Sequence, residues 1–167
     1  MRLDLRTIIN VPDASKPFRF QVDLSDLDFF GNKPITQPVL AEGSVTNHAG
    51  ALVLEGTARS VLDLACDRCG KEYSREKVVQ LDSLVAQELE DDENDEIILL
   101  EGSELDMDEV VTTAFVLAMD TKNLCSDDCK GLCAGCGADL NLGPCRCKPD
   151  VDPRLAALAQ LLDSETE

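Results

Sequence analysis

The sequence has no tryptophan, and aromatic residues fill only 4% of its 167 positions. That scarcity argues against a stacking platform for single-stranded nucleic acid, which needs exposed rings. A single histidine, His48, leaves little room for Ser-His or Cys-His catalysis. HExxH, a glycine-rich phosphate loop and a GxSxG elbow are all absent. No apolar run approaches the ~18 residues of a membrane-spanning helix. The opening MRLDLRTIIN lacks the basic-then-apolar pattern of a secretory signal. Basic residues are scarce: fifteen Lys and Arg face thirty-three Asp and Glu, a formal net charge of −18. Such a surface repels phosphate backbones and anionic membranes and attracts basic proteins. Together these features predict a cytoplasmic, non-enzymatic protein that does not touch membranes.

Hydrophobic residues make up 44% of the chain, enough for a packed core. Alternation of apolar and polar positions predicts strands at residues 3–9 (Leu3, Leu5, Thr7, Ile9) and 18–24 (Phe18, Phe20, Val22, Leu24). Pro12 to Pro17 reads as a turn and Gly31 to Pro38 as a loop. Further strands begin at Val39 and Leu52, on either side of a hairpin turn at Asn47-His48-Ala49-Gly50. Val61 to Ala65 runs into the first cysteine pair, and Tyr73 to Leu81 is another strand. Asp106 is placed to cap a helix, with Glu109 three residues on as its capping-box partner. Met107, Val110, Val111, Ala114, Phe115 and Ala118 form its apolar face. Asp152-Pro153 opens a second helix, striped by Leu155, Leu158, Ala159 and Leu162.

The fold class expected is α+β. A mostly antiparallel sheet or small barrel fills the N-terminal half, followed by one long helix, a Cys-rich zinc-binding module and a short C-terminal helix. The domain boundary falls between a β-rich core domain, residues 1–123, and the Cys-rich module, residues 124–167. Residues 78–121 hold fourteen Asp and Glu and no Lys or Arg, densest over Glu88–Glu96. This stretch reads as a solvated acidic loop or as a contact surface for a cationic partner.

The eight cysteines fall into four pairs: Cys66/Cys69, Cys125/Cys129, Cys133/Cys136 and Cys145/Cys147. In a cytosolic chain they point to metal ligation rather than disulfides. Short spacings let two thiolates converge on one ion, and four thiolates close a tetrahedral site whose usual occupant is Zn2+. Eight thiolates fill two four-cysteine sites; an iron–sulfur cluster is the alternative. Cys66-Asp67-Arg68-Cys69-Gly70 and Cys133-Ala134-Gly135-Cys136-Gly137 share the CxxCG form of a metal knuckle. One pairing joins Cys133/Cys136 to Cys145/Cys147, a short loop with little closure entropy, leaving Cys66/Cys69 with Cys125/Cys129. The rival joins the two CxxCG knuckles, as in a zinc ribbon, and both remain open at this point. Arg68, Lys71, Lys130, Arg146 and Lys148 flank the ligands, where they would screen the anionic centres and donate hydrogen bonds to sulfur, or form a small basic patch that touches RNA. A catalytic zinc needs an open position, and His48 sits in a turn. A zinc–thiolate redox sensor or thiol–disulfide exchange protein is the competing function, and an iron-bearing electron carrier a third.

The order of these motifs resembles the YceD family, the large ribosomal RNA subunit accumulation proteins. CDRC at Cys66–Cys69 is followed by NLCSDDCKGLCAGCGADLN from Asn123 to Asn141, then Cys145-x-Cys147 and DPRLAALAQLL from Asp152 to Leu162. Cys66, Arg68 and Cys69 match the family's CxRC. Cys125, Cys129, Cys133 and Cys136, with Lys130-Gly131-Leu132, match its cysteine-rich branch. The resemblance implies a bacterial or organellar factor in accumulation of 23S ribosomal RNA and assembly of the large subunit. It also points to a basic large-subunit ribosomal protein, or a pre-ribosomal particle, as partner. Met119-Asp120 stands where that branch has an apolar residue and proline, so the chain is expected to leave its helix differently.

Overall fold

The structure, a computed structural model, describes residues 1–29, 31–87 and 97–147. The chain divides into two compact units. One is Met1–Leu64 with Glu72–Lys122, and the other Ala65–Lys71 with Asn123–Glu167.

The first unit is a sheet with a helix. Its strands are β1 (Arg2–Asp4), β2 (Ser15–Val22), β3 (Val39–His48), β4 (Ala51–Ala65), β5 (Glu72–Ala86), β6 (Ile97–Leu99) and β7 (Glu104–Asp106), followed by α1 (Met107–Leu117). Five strands form an open sheet in the order β2-β3-β4-β5-β6, and β1 pairs with β7 separately. The β2–β3 and β3–β4 pairs are antiparallel, whereas β6 runs parallel to β5, with Val85 opposite Ile98. Strand β4 shows why the sheet has an inside. Leu52, Leu54, Ala58, Leu62 and Leu64, all at even positions, are buried, as a period of two requires. Pro17 is accommodated because β2 is an edge strand, where a missing N–H costs no ladder bond.

The hairpin falls where the alternation breaks. His48 pairs with Ala51, and Ala49 and Gly50 take φ of 54° and 103°, the left-handed pair that suits a two-residue hairpin turn. Asn47, at 1% exposure, ties this turn to the N-terminal segment. Its Nδ2 donates to the carbonyls of Ile8 and Ile9 at 2.8 and 2.7 Å, and its Oδ1 accepts from the Gly50 N–H at 2.7 Å. A buried amide so fully partnered removes the desolvation penalty of its own burial.

Two expectations are corrected. The α+β class with one long helix gives way to a mostly β chain, in which α1 is short, at eleven residues. Asp106 caps it, its side chain accepting from the N–H groups of Asp108 and Glu109 at 3.0 and 3.4 Å. The apolar face runs on through Ala118 and Met119, which pack against the core, but the helix itself stops there, Ala118 closing the last turn by donating to the Ala114 carbonyl. Asp120 then leaves the helix axis for β5, pairing with Arg75 at 2.9 Å and Lys77 at 3.1 Å. Among the described residues there is no second helix; the one expected over 152–162 lies outside them. Finally, the strand expected over 3–9 ends at Asp4. The N–H groups of Ile8 and Ile9 both donate to the Leu5 carbonyl, a helical turn that buries Leu5 and Ile8 together. Helical spacing wins there because it places two large apolar side chains inward, where the strand pattern would have chosen Thr7.

The helix packs on the core through Met107, Val110, Val111 and Phe115, all buried. Among the described residues no helix is long and apolar enough to cross a membrane.

Candidate metal centres

The second unit is built on two copies of one turn. At the first, the Cys66 N–H donates to the Lys71 carbonyl at 2.9 Å and the Gly70 N–H to the Cys66 carbonyl at 2.8 Å. At the second, the Cys133 N–H donates to the Ala138 carbonyl and the Gly137 N–H to the Cys133 carbonyl, both at 2.8 Å. Gly70 and Gly137 sit at φ of 70° and 72°, the left-handed conformation that lets the chain reverse beneath the sulfurs. The shared CxxCG pattern is the sequence signature of this repeated hydrogen-bond geometry.

Each turn supplies half of a sulfur cage. Cys66, Cys69, Cys125 and Cys129 form the first, hereafter the inner centre. Cys133, Cys136, Cys145 and Cys147 form the second, the outer centre. In each, all four Sγ atoms lie within 4.8 Å of one another, and all eight cysteines are free thiols. Of the two pairings open from spacing, the structure therefore gathers the one that joins Cys133/Cys136 to Cys145/Cys147.

The cages have the dimensions of a site for one ion. Four sulfurs about 2.3 Å from a central metal stand about 3.8 Å apart at the corners of a tetrahedron. In the inner centre Cys66–Cys129 and Cys69–Cys125 are both 3.7 Å apart. In the outer centre Cys133–Cys145 is tighter, at 3.2 Å. A multi-iron cluster attaches its cysteines to different irons and so holds them further apart. Four thiols with no fifth donor make a closed set, without an open position for substrate or reactive water.

Charge within the cages tells the same story. The Cys125 N–H above all, with those of Cys69 and Arg68, lowers the Cys66 thiol to about 6 against the cost of desolvation. Burial, then the neighbouring thiols of Cys69, Cys66 and Cys129, pushes Cys125 up to about 12. The outer centre repeats the split. The Cys145 thiol and then the N–H of Cys136 hold Cys133 at about 6, while the Cys136 thiol above all drives Cys147 to about 12. One thiolate forms readily in each cage and the last resists, because like charges crowd into the volume of one ion. A cation in the middle removes that conflict.

Around the inner centre the chain is cross-braced. Asp67 and Asn123 exchange two bonds, Asp67 N–H to the Asn123 carbonyl at 2.8 Å and Asn123 N–H to the Asp67 carboxylate at 2.6 Å. Arg68 donates to the Cys129 carbonyl at 2.6 Å, and its own carbonyl accepts from the Leu132 N–H. Arg68 was expected to donate to sulfur. The side chain that reaches a sulfur is instead Asn141, whose Nδ2 lies 3.5 Å from Cys129 Sγ and whose Oδ1 accepts from the Lys130 N–H at 2.7 Å. Sequence reasoning did not single out Asn141 as a positioning residue. Asp139-Leu140-Asn141 reads as turn chemistry, and nothing local marks which acceptor the amide finds. Lys148 lies outside the described residues, and His48 is exposed at the end of β3.

Residues 54–162 match the family described as large ribosomal RNA subunit accumulation protein YceD, and the chain belongs to that family. Similar to it is the maize protein named large ribosomal RNA subunit accumulation protein YCED homolog 1, chloroplastic, 28% identical over an alignment of 155 residues that covers 74% of this chain and 53% of the maize protein. Uncharacterized proteins of Mycobacterium bovis and Mycobacterium tuberculosis are 31% identical over 75 residues, 45% of this chain and 36% of theirs. The chain thus spans about half the length of the maize relative and about a third of the mycobacterial ones. No solved structure matches it.

Proposed function

We propose that this chain is a non-catalytic, cytoplasmic factor in biogenesis of the large ribosomal subunit, promoting accumulation of 23S ribosomal RNA. In this reading each four-cysteine centre holds one zinc ion, and the chain acts through a basic ribosomal protein. Membership of the YceD family is the observation that carries the role. Zinc is favoured over iron because a closed tetrahedral set of four thiolates suits a metal that needs no redox partner and no open position. The ions serve as structure: Cys66/Cys69 and Cys125/Cys129 hold the first turn to the segment after Lys122, and Cys145/Cys147 fold back on the second turn.

A protein partner is favoured over bare RNA because non-specific phosphate binding depends on Lys and Arg, and the net charge is −18. The acids from Glu88 to Glu109 supply a surface for a cationic protein; those of 88–96 lie outside the described residues. Replacing the acids of Glu88–Glu96 with Ser is expected to weaken capture of basic large-subunit proteins in a pull-down, and undiminished capture would remove this mechanism. Exposure of Cys136 and Cys147 favours one second reading, a thiol-based redox sensor at the outer centre. That reading expects one ion to leave at near-stoichiometric peroxide, and metal retention there would exclude it.

A further inference from the structure

Single exposed leucines are ordinary on a protein surface. In the first unit three of them converge. Leu117, near the end of α1, is 80% exposed, and Leu84 on β5 and Leu99 on β6 are each 49% exposed. All three line a groove of about 920 Å³ between β5, β6 and α1. Exposed carboxylates of Asp82, Glu101 and Glu109 line it as well, Glu101 pairing with Arg2 at 2.9 Å, and no Lys or Arg is among the lining residues.

We propose that this groove is the docking surface for a cationic amphipathic segment of a partner protein, its apolar side chains seated on Leu84, Leu99 and Leu117 and its Lys or Arg facing Asp82, Glu101 and Glu109. The proposal rests on the reading of a basic protein partner and gives that partner a place to bind. Charge decides the occupant. A second copy of this chain would bring −18 against −18, and an anionic membrane would be repelled by the same acids. A helix with apolar residues three and four apart and basic residues between them answers both features of the groove at once. Steering by the acids and anchoring by the leucines are separable contributions: the first falls with salt, the second does not.

The test uses the full chain and a fluorescent synthetic helix of Leu and Lys at helical spacing. A scrambled peptide of the same composition and a Leu/Glu counterpart serve as controls, and anisotropy is read at low and high salt. The Leu/Lys helix is expected to bind, the scrambled peptide to bind about tenfold more weakly, and the Leu/Glu helix not at all. Leu117→Ser combined with Leu84→Ser and Leu99→Ser should weaken the Leu/Lys helix by at least about tenfold. Glu109→Gln with Asp82→Asn and Glu101→Gln, which leaves the apolar residues intact, should weaken it chiefly at low salt. Equal binding of helix and scramble, or unchanged binding by both variants, overturns the proposal. So does a wild-type dimer in sedimentation that Leu117→Ser dissolves, since the occupant is then a second copy. If the leucine variant loses the peptide yet still captures basic large-subunit proteins, the groove is not where the partner docks and only this inference falls. If the wild-type chain seats the peptide but captures none of those proteins, the functional reading falls and the groove stands.

Discussion

Among the described residues of the first unit twenty-four apolar side chains are buried in one cluster, from Leu3 through Phe115. In the second, among the described residues, the buried side chains are the thiols of Cys66 and Cys129, while Leu132 and Leu142 are 46% and 88% exposed. One unit excludes water with hydrocarbon; the described residues of the other bury almost none. Segments that cannot build a core depend on staples, and two four-thiol cages are the staples available. The same contrast recurs inside the second unit. The inner centre has two buried cysteines and a brace of backbone bonds, whereas in the outer centre Cys136 and Cys147 are exposed.

If each cage holds a zinc ion as proposed, the largest expected effect follows from removing it. A closed zinc site supplies ~10 kcal/mol or more of apparent binding energy, comparable to the whole stability of an ordinary domain. A strong chelator should abolish hydrogen-exchange protection over Cys125–Cys147 while β2 to β5 keep theirs. Release should be biphasic, the outer ion first, and native protein should carry two ions per chain by elemental analysis. Cys133→Ser should remove the fast phase and Cys66→Ser the slow one. Protection indifferent to chelator would mean that something other than metal holds the second unit, and the contrast between the units would dissolve.

The next effect is the converse, damage confined to the hydrocarbon unit. Phe115 is fully buried and is the largest side chain of the helix face. Phe115→Ala should cost about 3–5 kcal/mol, read as a lowered urea midpoint of the β signal. Metal content should stay at two per chain. A joint loss of stability and metal would show that the units fold as one cooperative body.

Much of the sulfur geometry was legible because it is local. Ligand pairs two to four residues apart fix which sulfurs travel together, and the CxxCG pattern carries its own hydrogen bonds. The hairpin at Asn47–Gly50 was legible for the same reason. What escaped depends on neighbours distant in sequence. Strand β1 pairs with β7 a hundred residues on, Leu3 opposite Leu105, so a seven-residue alternation could not show that only three residues extend. Asn47 reads as a turn residue, yet its side chain reaches Ile8 and Ile9. The helix was expected to be long from its cap and stripe, but its end is set by Ala118 and by Asp120 turning to Arg75 and Lys77, a tertiary event. The groove beside α1 was invisible until β6 lay parallel to β5.

The finest distinction lies between two glycines with almost the same backbone. Gly131 and Gly137 have φ of 74° and 72°, so an alanine at either meets the same left-handed strain, about 1 kcal/mol. Their surroundings differ. A Cβ on Gly137 would meet nothing within 4 Å, whereas one on Gly131 would stand 2.9 Å from the Arg68 carbonyl oxygen. That carbonyl accepts from the Leu132 N–H at 3.1 Å, so it cannot retreat without weakening the bond that braces the inner centre. Gly137→Ala should therefore lower the outer site's metal affinity by roughly five- to tenfold, the equivalent of about 1 kcal/mol. Gly131→Ala should cost about 2 kcal/mol or more and quicken release from the inner site, measured by competition with a chromogenic chelator. Gly70→Ala, also with open space around it, should behave like Gly137→Ala. Equal losses for all three would mean that backbone strain alone sets the cost and that the Arg68 contact is not part of what holds the inner ion.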